Sequence, residues 1–179
     1  GGAEVDTGFH VTTPDAHDVQ RYLAQMVAAG LTHVVLETTS HGWAQHRVDA
    51  CEFDVGVVTN ITHEHLDEHG SYEAYRSAKA RLFQSLAATA DKGRGNPRLG
   101  VLNRDDQSFE YLDQVVSVNK LSYGIREGAD IQATEIKLSS EGAEFYAEGR
   151  GLRVAISSNL EGLHNVSNCL AAIGATVFA

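Results

Sequence analysis

Asp54-Val55-Gly56-Val57-Val58-Thr59-Asn60 and Leu99-Gly100-Val101-Leu102-Asn103 are the stretches that decide the fold. Each is a continuous apolar run ending in a polar residue, the pattern of a strand buried on both faces. Between them Ser71 caps a helix running to about Ala90, and a loop follows at Lys92-Gly93-Arg94-Gly95-Asn96-Pro97. Helices alternating with such strands predict a parallel sheet covered on both sides. Working toward the N-terminus, Thr13-Pro14 reads as a helix start, and Val19, Tyr22, Leu23, Met26 and Val27 fall on one helical face before Gly30 closes it. His33-Val34-Val35-Leu36-Glu37 reads as a further buried strand. After Asn103 a short acidic helix is expected.

Beyond Tyr123 the pattern changes. Segments near 131–138, 143–147 and 152–157 are short, partly alternating and joined by Ser-Ser-Glu-Gly and Gly-Arg-Gly turns, as in an antiparallel meander. The C-terminal run from Asn168 to Ala179 reads as an apolar helix. The expected organisation is therefore a parallel α/β part over 12–123, a meander over 124–160 and a helix over 161–179 that returns to the core. Both ends look cut, which suggests a piece of a larger protein.

With 179 residues the chain suits one domain, or one with a small subdomain. Acidic residues outnumber basic ones 24 to 14, a formal charge of −10, which argues against a general nucleic-acid binder. A nucleotide pocket needs only a few local donors and stays open. Cys51 and Cys169 lie far apart, so neither a disulfide scaffold nor a cysteine zinc site is supported. No basic-plus-apolar leader opens the chain, and no apolar run reaches the roughly 18 residues of a membrane span. A cytoplasmic α/β domain without membrane partners is the expectation.

Ligands of open parallel sheets bind beyond the carboxyl ends of the strands. Glu37 closes one predicted strand and leads into Thr38-Thr39-Ser40-His41. Asn60 closes another and leads into Ile61-Thr62-His63-Glu64-His65-Leu66-Asp67-Glu68-His69-Gly70. Five of the nine histidines lie between His41 and His69, so the imidazoles gather where the carboxylates are. A carboxylate with an imidazole and waters suits Mg²⁺ or Mn²⁺. Lys79 falls on the apolar stripe of its helix, between Tyr75 and Leu82. An inward amine needs a partner, a route to the rim or a lowered pKa. Gly162-Leu163-His164-Asn165-Val166-Ser167-Asn168 stands where a loop enters a helix, and could simply cap it. No G-x-x-x-x-G-K-[ST] occurs, so the chain has no Walker A loop.

From Thr12 to Lys79 the chain resembles the central domain of Mur ligases, particularly the tripeptide-forming branch. The matching stretches are Thr12-Thr13-Pro14, Glu37-Thr38-Thr39-Ser40-His41, Gln45-His46-Arg47-Val48-Asp49, Thr59-Asn60, His65-Leu66-Asp67-Glu68-His69-Gly70 and Ala78-Lys79-Ala80-Arg81-Leu82-Phe83. Asn103-Arg104-Asp105-Asp106 and the 162–168 segment are similar to later family motifs. The resemblance implies a P-loop NTPase-like fold lacking its P-loop. It implies that Glu37 and His65 are Mg²⁺ ligands and that Lys79 is a carbamylated lysine acting with His65 in catalysis. Thr12, Thr13, Thr39, Gln45 and Arg47 would hold a UDP-N-acetylmuramoyl-peptide, and Asn103, Asp106, His164, Asn165 and Asn168 would surround the nucleotide.

The reaction so implied is ATP-dependent ligation of an amino acid to that peptide in peptidoglycan synthesis, through an acyl phosphate. The P-loop would precede Gly1 and the domain choosing the amino acid would follow Ala179, so this chain alone is expected to be inactive. An open sheet edge is where two copies could pair. Other readings are a folylpolyglutamate synthase-like or other amide ligase of the superfamily, a non-catalytic binding module, and a zinc hydrolase using His63, His65, Asp67 and His69. The hydrolase reading needs one residue fewer between Asp67 and His69.

Overall fold

The computed structural model describes residues 12–61, 71–93, 95 and 97–178. The chain divides into two compact units, one of residues 1–51 and 65–79, the other of 52–64 and 80–179.

The second unit is built on one six-stranded sheet in chain order: β1 (Val55–Val57), β2 (Leu99–Asn103), β3 (Asn119–Gly124), β4 (Ile131–Ser139), β5 (Gly142–Gly149) and β6 (Leu152–Ser158). Strands β1 to β4 pair in parallel, and β4 to β6 are antiparallel. The expected parallel sheet with an attached meander is thus present, with β4 as the hinge between the two modes. Only Tyr123↔Ile131 and Gly124↔Gln132 join it to β3. The meander depends on a tight turn at Gly142, where φ is 136° and a Cβ would collide with the Ser158 carbonyl.

The register explains how the faces are covered. Gly56 lies opposite Gly100, and a Cβ on either would come within 3.4 Å of Phe83. Two absent side chains therefore make the recess that receives Phe83 from helix α3 (Tyr72–Ala88). Val116, just after helix α4 (Phe109–Val115), packs on the same face of β2. The opposite face carries Leu99, Val101, Leu121 and Ile131 against Val166, Leu170 and Ala171 of helix α5 (Leu163–Val177). All of these are buried, and they form the main core. No described helix is long and apolar enough to cross a membrane.

Strand β3 has no counterpart among the sequence expectations. Lys120 and Ser122 break its apolar run, but both are satisfied: Lys120 Nζ donates to the Asp113 carbonyl at 2.6 Å, and the Ser122 hydroxyl donates to Asp130 at 2.8 Å. Polar partners from α4 and the β3–β4 turn allow a polar face where continuous apolarity was expected.

The first unit begins with helix α1 (Ala16–Ala28). Its start differs from the expected Thr13 cap. Asp15 is at the N-cap position, and the Thr13 side chain turns inward to other partners. Val19 is buried as expected, but Val27 is 73% exposed and leaves the apolar face. The helix ends as read at Gly30: Gly30 N–H bonds the Val27 carbonyl and Leu31 N–H the Met26 carbonyl, with Gly30 at φ 79°. Helix α2 (Ser40–Ala44) follows.

The expected strand at 33–37 is not formed. Residues 31–39 carry no regular structure, and Val35 is fully exposed. The apolar run signals burial, yet it pairs with no neighbouring strand among the described residues. Without a ladder, β-branched side chains do not make a strand.

Candidate functional site

Within the first unit, Thr13 is the organising residue. It is almost completely buried, and its hydroxyl accepts a hydrogen bond from the Thr39 N–H at 3.0 Å. The hydroxyl lies 3.3 Å from both the Glu37 carbonyl and Thr39 Oγ1. Thr39 in turn caps α2 by accepting from the Gly42 N–H at 3.0 Å. Gly42 is needed for this approach: a Cβ there would stand 3.0–3.2 Å from the Thr13 side chain.

The other end of α2 sets Arg47. His46 N–H bonds the Trp43 carbonyl, Arg47 N–H bonds the Gly42 carbonyl, and His46 adopts φ 60°. This is a Schellman cap with histidine in the position glycine usually takes. The turn brings Arg47 back onto the start of the unit. Its Nη1 donates to the Thr13 carbonyl at 2.7 Å and its Nε to Gln45 Oε1 at 2.9 Å, with Asp15 at 3.6 Å. Thr13, Thr39, Gln45 and Arg47 are therefore one connected group, and Thr12 adjoins it as an exposed residue.

Lys79 belongs to the same unit and is half-buried. Burial pushes its ammonium pKa down, and the Glu37 carboxylate partly opposes that shift. Its Nζ sits 5.6 Å from the centre of the Tyr75 ring. Glu37 and Lys79, far apart in sequence, are thus electrostatic neighbours. His65, like His63, Asp67 and His69 of the hydrolase reading, lies outside the described residues.

In the second unit, polar side chains gather at the carboxyl ends of β1 to β3. Asn103 Nδ2 donates to the Thr59 carbonyl at 2.6 Å, and its Oδ1 accepts the Asp105 N–H at 2.9 Å. Asp106 accepts the Ile61 N–H at 3.0 Å on one oxygen and the Ser108 N–H at 2.8 Å on the other. Asp105 accepts from the N–H groups of Ile125 and Arg126. These side chains hold backbone. Tyr123, which the sequence reading did not single out, is buried among them, and its hydroxyl donates to the Val58 carbonyl at 2.8 Å. Burial raises the phenol pKa strongly; a Ser167 hydrogen bond works against this, while Asp106 and Asp105 add to it.

At the first turn of α5, Asn165 Nδ2 lies 2.9 Å from the Glu161 carbonyl and 3.0 Å from His164 Nε2, which accepts from it. Asn168 Nδ2 donates to Asn165 Oδ1 at 3.3 Å. The three residues read together in sequence form a continuous hydrogen-bonded row. A Cβ at Gly162 would meet the His164 ring at 2.9 Å, so glycine leaves room for the imidazole.

The family model for the Mur ligase middle domain matches residues 2–176. The chain belongs to this family. The Mur ligase middle domain described here is 40% identical over 164 residues to the UDP-N-acetylmuramoyl-L-alanyl-D-glutamate--2,6-diaminopimelate ligase of Geobacillus thermodenitrificans, covering 92% of this chain and 33% of that protein. It is 41% identical over 162 residues to the UDP-N-acetylmuramyl-tripeptide synthetase 2 of Oceanobacillus iheyensis, covering 90% of this chain and 32% of that one. A solved structure of a UDP-N-acetylmuramoyl-L-alanyl-D-glutamate--2,6-diaminopimelate ligase superposes with a TM-score of 0.79 at 31% identity, over 89% of this chain and 32% of the other. This Mur ligase middle domain therefore spans about a third of the length of the curated relatives it matches. The mixed α/β sheet agrees with the expected fold class.

In this middle domain the residues that sequence reasoning missed are those whose work is done by backbone geometry. Gly42 and His46 shape α2, and Tyr123 clamps the end of β1.

Proposed function

We propose that this chain is the central domain of an ATP-dependent amide ligase acting on a UDP-N-acetylmuramoyl-peptide in peptidoglycan synthesis. The observation that carries the reading is the half-buried Lys79 amine, its pKa lowered by burial, beside the Glu37 carboxylate. In its neutral form, which burial favours, the Lys79 amine can add CO₂ at Nζ, losing a proton to become a carbamate. Glu37 offers a hard oxygen donor suited to Mg²⁺, and His65 would be the second ligand. When bound, the metal would neutralise charge on the phosphates and on the substrate carboxylate.

The remaining chemistry falls to side chains of this chain and to the substrates. Arg47, held by Thr13 and Gln45, would present its guanidinium to a carboxylate or phosphate of the muramoyl-peptide. Thr12, Thr13 and Thr39 would orient the same substrate. ATP would transfer its terminal phosphoryl group to the peptide carboxylate, releasing ADP. The amine of the incoming amino acid would then attack the acyl carbon, expelling phosphate and losing a proton to give the amide. Asn103 and Asp106 would act by fixing the strand ends, and His164, Asn165 and Asn168 would face the adenine.

The test is titration calorimetry with UDP-N-acetylmuramoyl-dipeptide and Mg²⁺, comparing wild type with Arg47→Lys and Arg47→Ala, each checked for fold by circular dichroism. Saturable binding that weakens in Arg47→Lys and disappears in Arg47→Ala is the expected result. Binding unaffected by both substitutions would overturn the assignment of Arg47. A folded wild type that binds no muramoyl-peptide would count against the substrate.

A further inference from the structure

Among the described residues the sheet ends on one side in β6, a strand of seven residues, and on the other in β1, a strand of three. β6 pairs with β5 alone, in unbroken register from Gly149↔Leu152 to Ala143↔Ser158. The turn joining them has two residues, Arg150 and Gly151, at φ 48° and 82°. A two-residue turn of this kind makes Gly149 and Leu152 a hydrogen-bonded pair, and bonding then alternates along the ladder. Leu152, Val154, Ile156 and Ser158 therefore give their backbone groups to β5, while Arg153, Ala155 and Ser157 turn theirs outward. All of these outward-turned residues are exposed. Sheets commonly blunt such an edge with proline, lysine, a bulge or a covering segment. β6 holds neither proline nor lysine, and its one charge is held back from the edge: Arg153 lies 4.1 Å from the centre of the Tyr146 ring and pairs with Glu135 at 3.0 Å and with Glu148.

We propose that β6 is the surface through which two copies of this chain associate, edge to edge and antiparallel, with Ala155 of each copy opposite the other. The strand is self-complementary in that register. A two-fold axis at Ala155 sets Arg153 opposite Ser157 on both sides, which gives about six backbone hydrogen bonds across the edge. Val154 is 42% exposed, and it shares with Ile156 the face that carries Ala147 and Phe145. Across the axis each Val154 meets the Ile156 of the other copy, so the apolar face continues from one sheet into the next. On the opposite face no charge meets its like, and Ala155 leaves the centre unobstructed. Sliding the second copy by two residues forfeits part of the ladder, and sliding it by four toward the turn sets Arg153 against its own copy. The shorter β1 offers fewer backbone groups than β6. None of this depends on the ligase reading, which assigns no role to β6.

Sedimentation equilibrium of this chain tests the pairing, under reducing conditions that keep Cys51 and Cys169 from cross-linking. Wild type is compared with Ala155→Lys, Ala155→Glu and an equal mixture of the two, each variant checked for fold by circular dichroism. One strand edge makes a small interface, so a reversible dimer is expected, growing as the concentration approaches about 1 mM. Ala155→Lys sets two ammonium groups opposite each other beside Arg153 and should associate at least several-fold more weakly than wild type. The mixture should regain dimers, because lysine then faces glutamate, and only this register predicts that recovery. Wild type that stays monomeric throughout would overturn the proposal. Dimers undiminished in Ala155→Lys would overturn it too, since they form elsewhere, as would a folded pair of variants that gains nothing on mixing. Ala155→Pro, which removes the outward N–H and leaves the β5 ladder intact, supplies a second measure: dimerisation equal to wild type would count against the edge.

Discussion

The Thr39 N–H donates to the hydroxyl of Thr13 across 3.0 Å, joining the start of the first unit to the cap of α2. Because Thr13 is almost wholly buried, deleting that hydroxyl strands a donor that water cannot reach. Thr13→Val, which keeps the shape, should cost about 1–3 kcal/mol in urea unfolding. Thr13→Ser, which keeps the oxygen, should lose less. If valine and serine are equally tolerated, the hydrogen bond does not hold α2.

Lys79 gives a pH dependence whose sign is fixed. Its folded pKa is lowered from the ordinary 10.5 by burial, so the unfolded chain binds the proton more readily. Stability should therefore rise with pH between the lowered value and 10.5, and the penalty is fully present below that window. Lys79→Met removes the titrating group. It should be more stable than wild type at neutral pH, with the advantage shrinking as the pH climbs. In bicarbonate labelled with ¹³C, wild type should show a carbamate resonance that Lys79→Met lacks. A wild-type spectrum without that signal would refute carbamylation.

Asp130 works in the opposite sense. Burial alone would raise its pKa, but the Ser122 N–H and hydroxyl and the Arg150 guanidinium outweigh burial and hold it below 3.8. A depressed carboxyl contributes stability that is present above its unfolded pKa and is lost as pH falls through the folded one. Asp130→Asn should thus be less stable than wild type at pH 7, and the two should converge under strongly acidic conditions. Parallel stability curves across that range would show that Asp130 is not the group that titrates.

How far the sequence could be read depended on who supplies the partner of each residue. β2 was legible because all five positions are buried and Leu99, Val101 and Leu102 carry the apolar signal up to the polar Asn103 that ends it. The meander was legible because glycine marks its turns. The segment 33–37 misled because an apolar run states a need for burial without naming the strand that would pair with it. β3 was hidden for the reverse reason: Lys120 and Ser122 find ion and hydrogen-bond partners in Asp113 and Asp130, and such pairings leave no periodic trace. In the candidate site the charged residues stood out in sequence. The buried Tyr123 hydroxyl and the αL turn at His46 did not, since both act on backbone atoms that every residue possesses.

Gly174 offers the sharpest test of how the sheet is covered. It lies in α5 where a Cβ would fall 2.8 Å from Val101 Cγ1 and 3.0 Å from Leu121 Cδ2, closer than carbon atoms pack. In an exposed helix, glycine to alanine stabilises by about 1 kcal/mol because the unfolded chain is more restricted. Here both neighbours are fully buried valine and leucine on adjacent strands, so neither can swing away without opening a void. Overpacking should win. Gly174→Ala is expected to lose about 1–3 kcal/mol in denaturant unfolding, with the midpoint shifted and the slope unchanged. Combining it with Val101→Ala, which frees the clashing methyls, should recover part of the loss beyond additivity, as for two residues sharing one space. A stabilising Gly174→Ala would mean that α5 stands off the sheet by more than this packing allows.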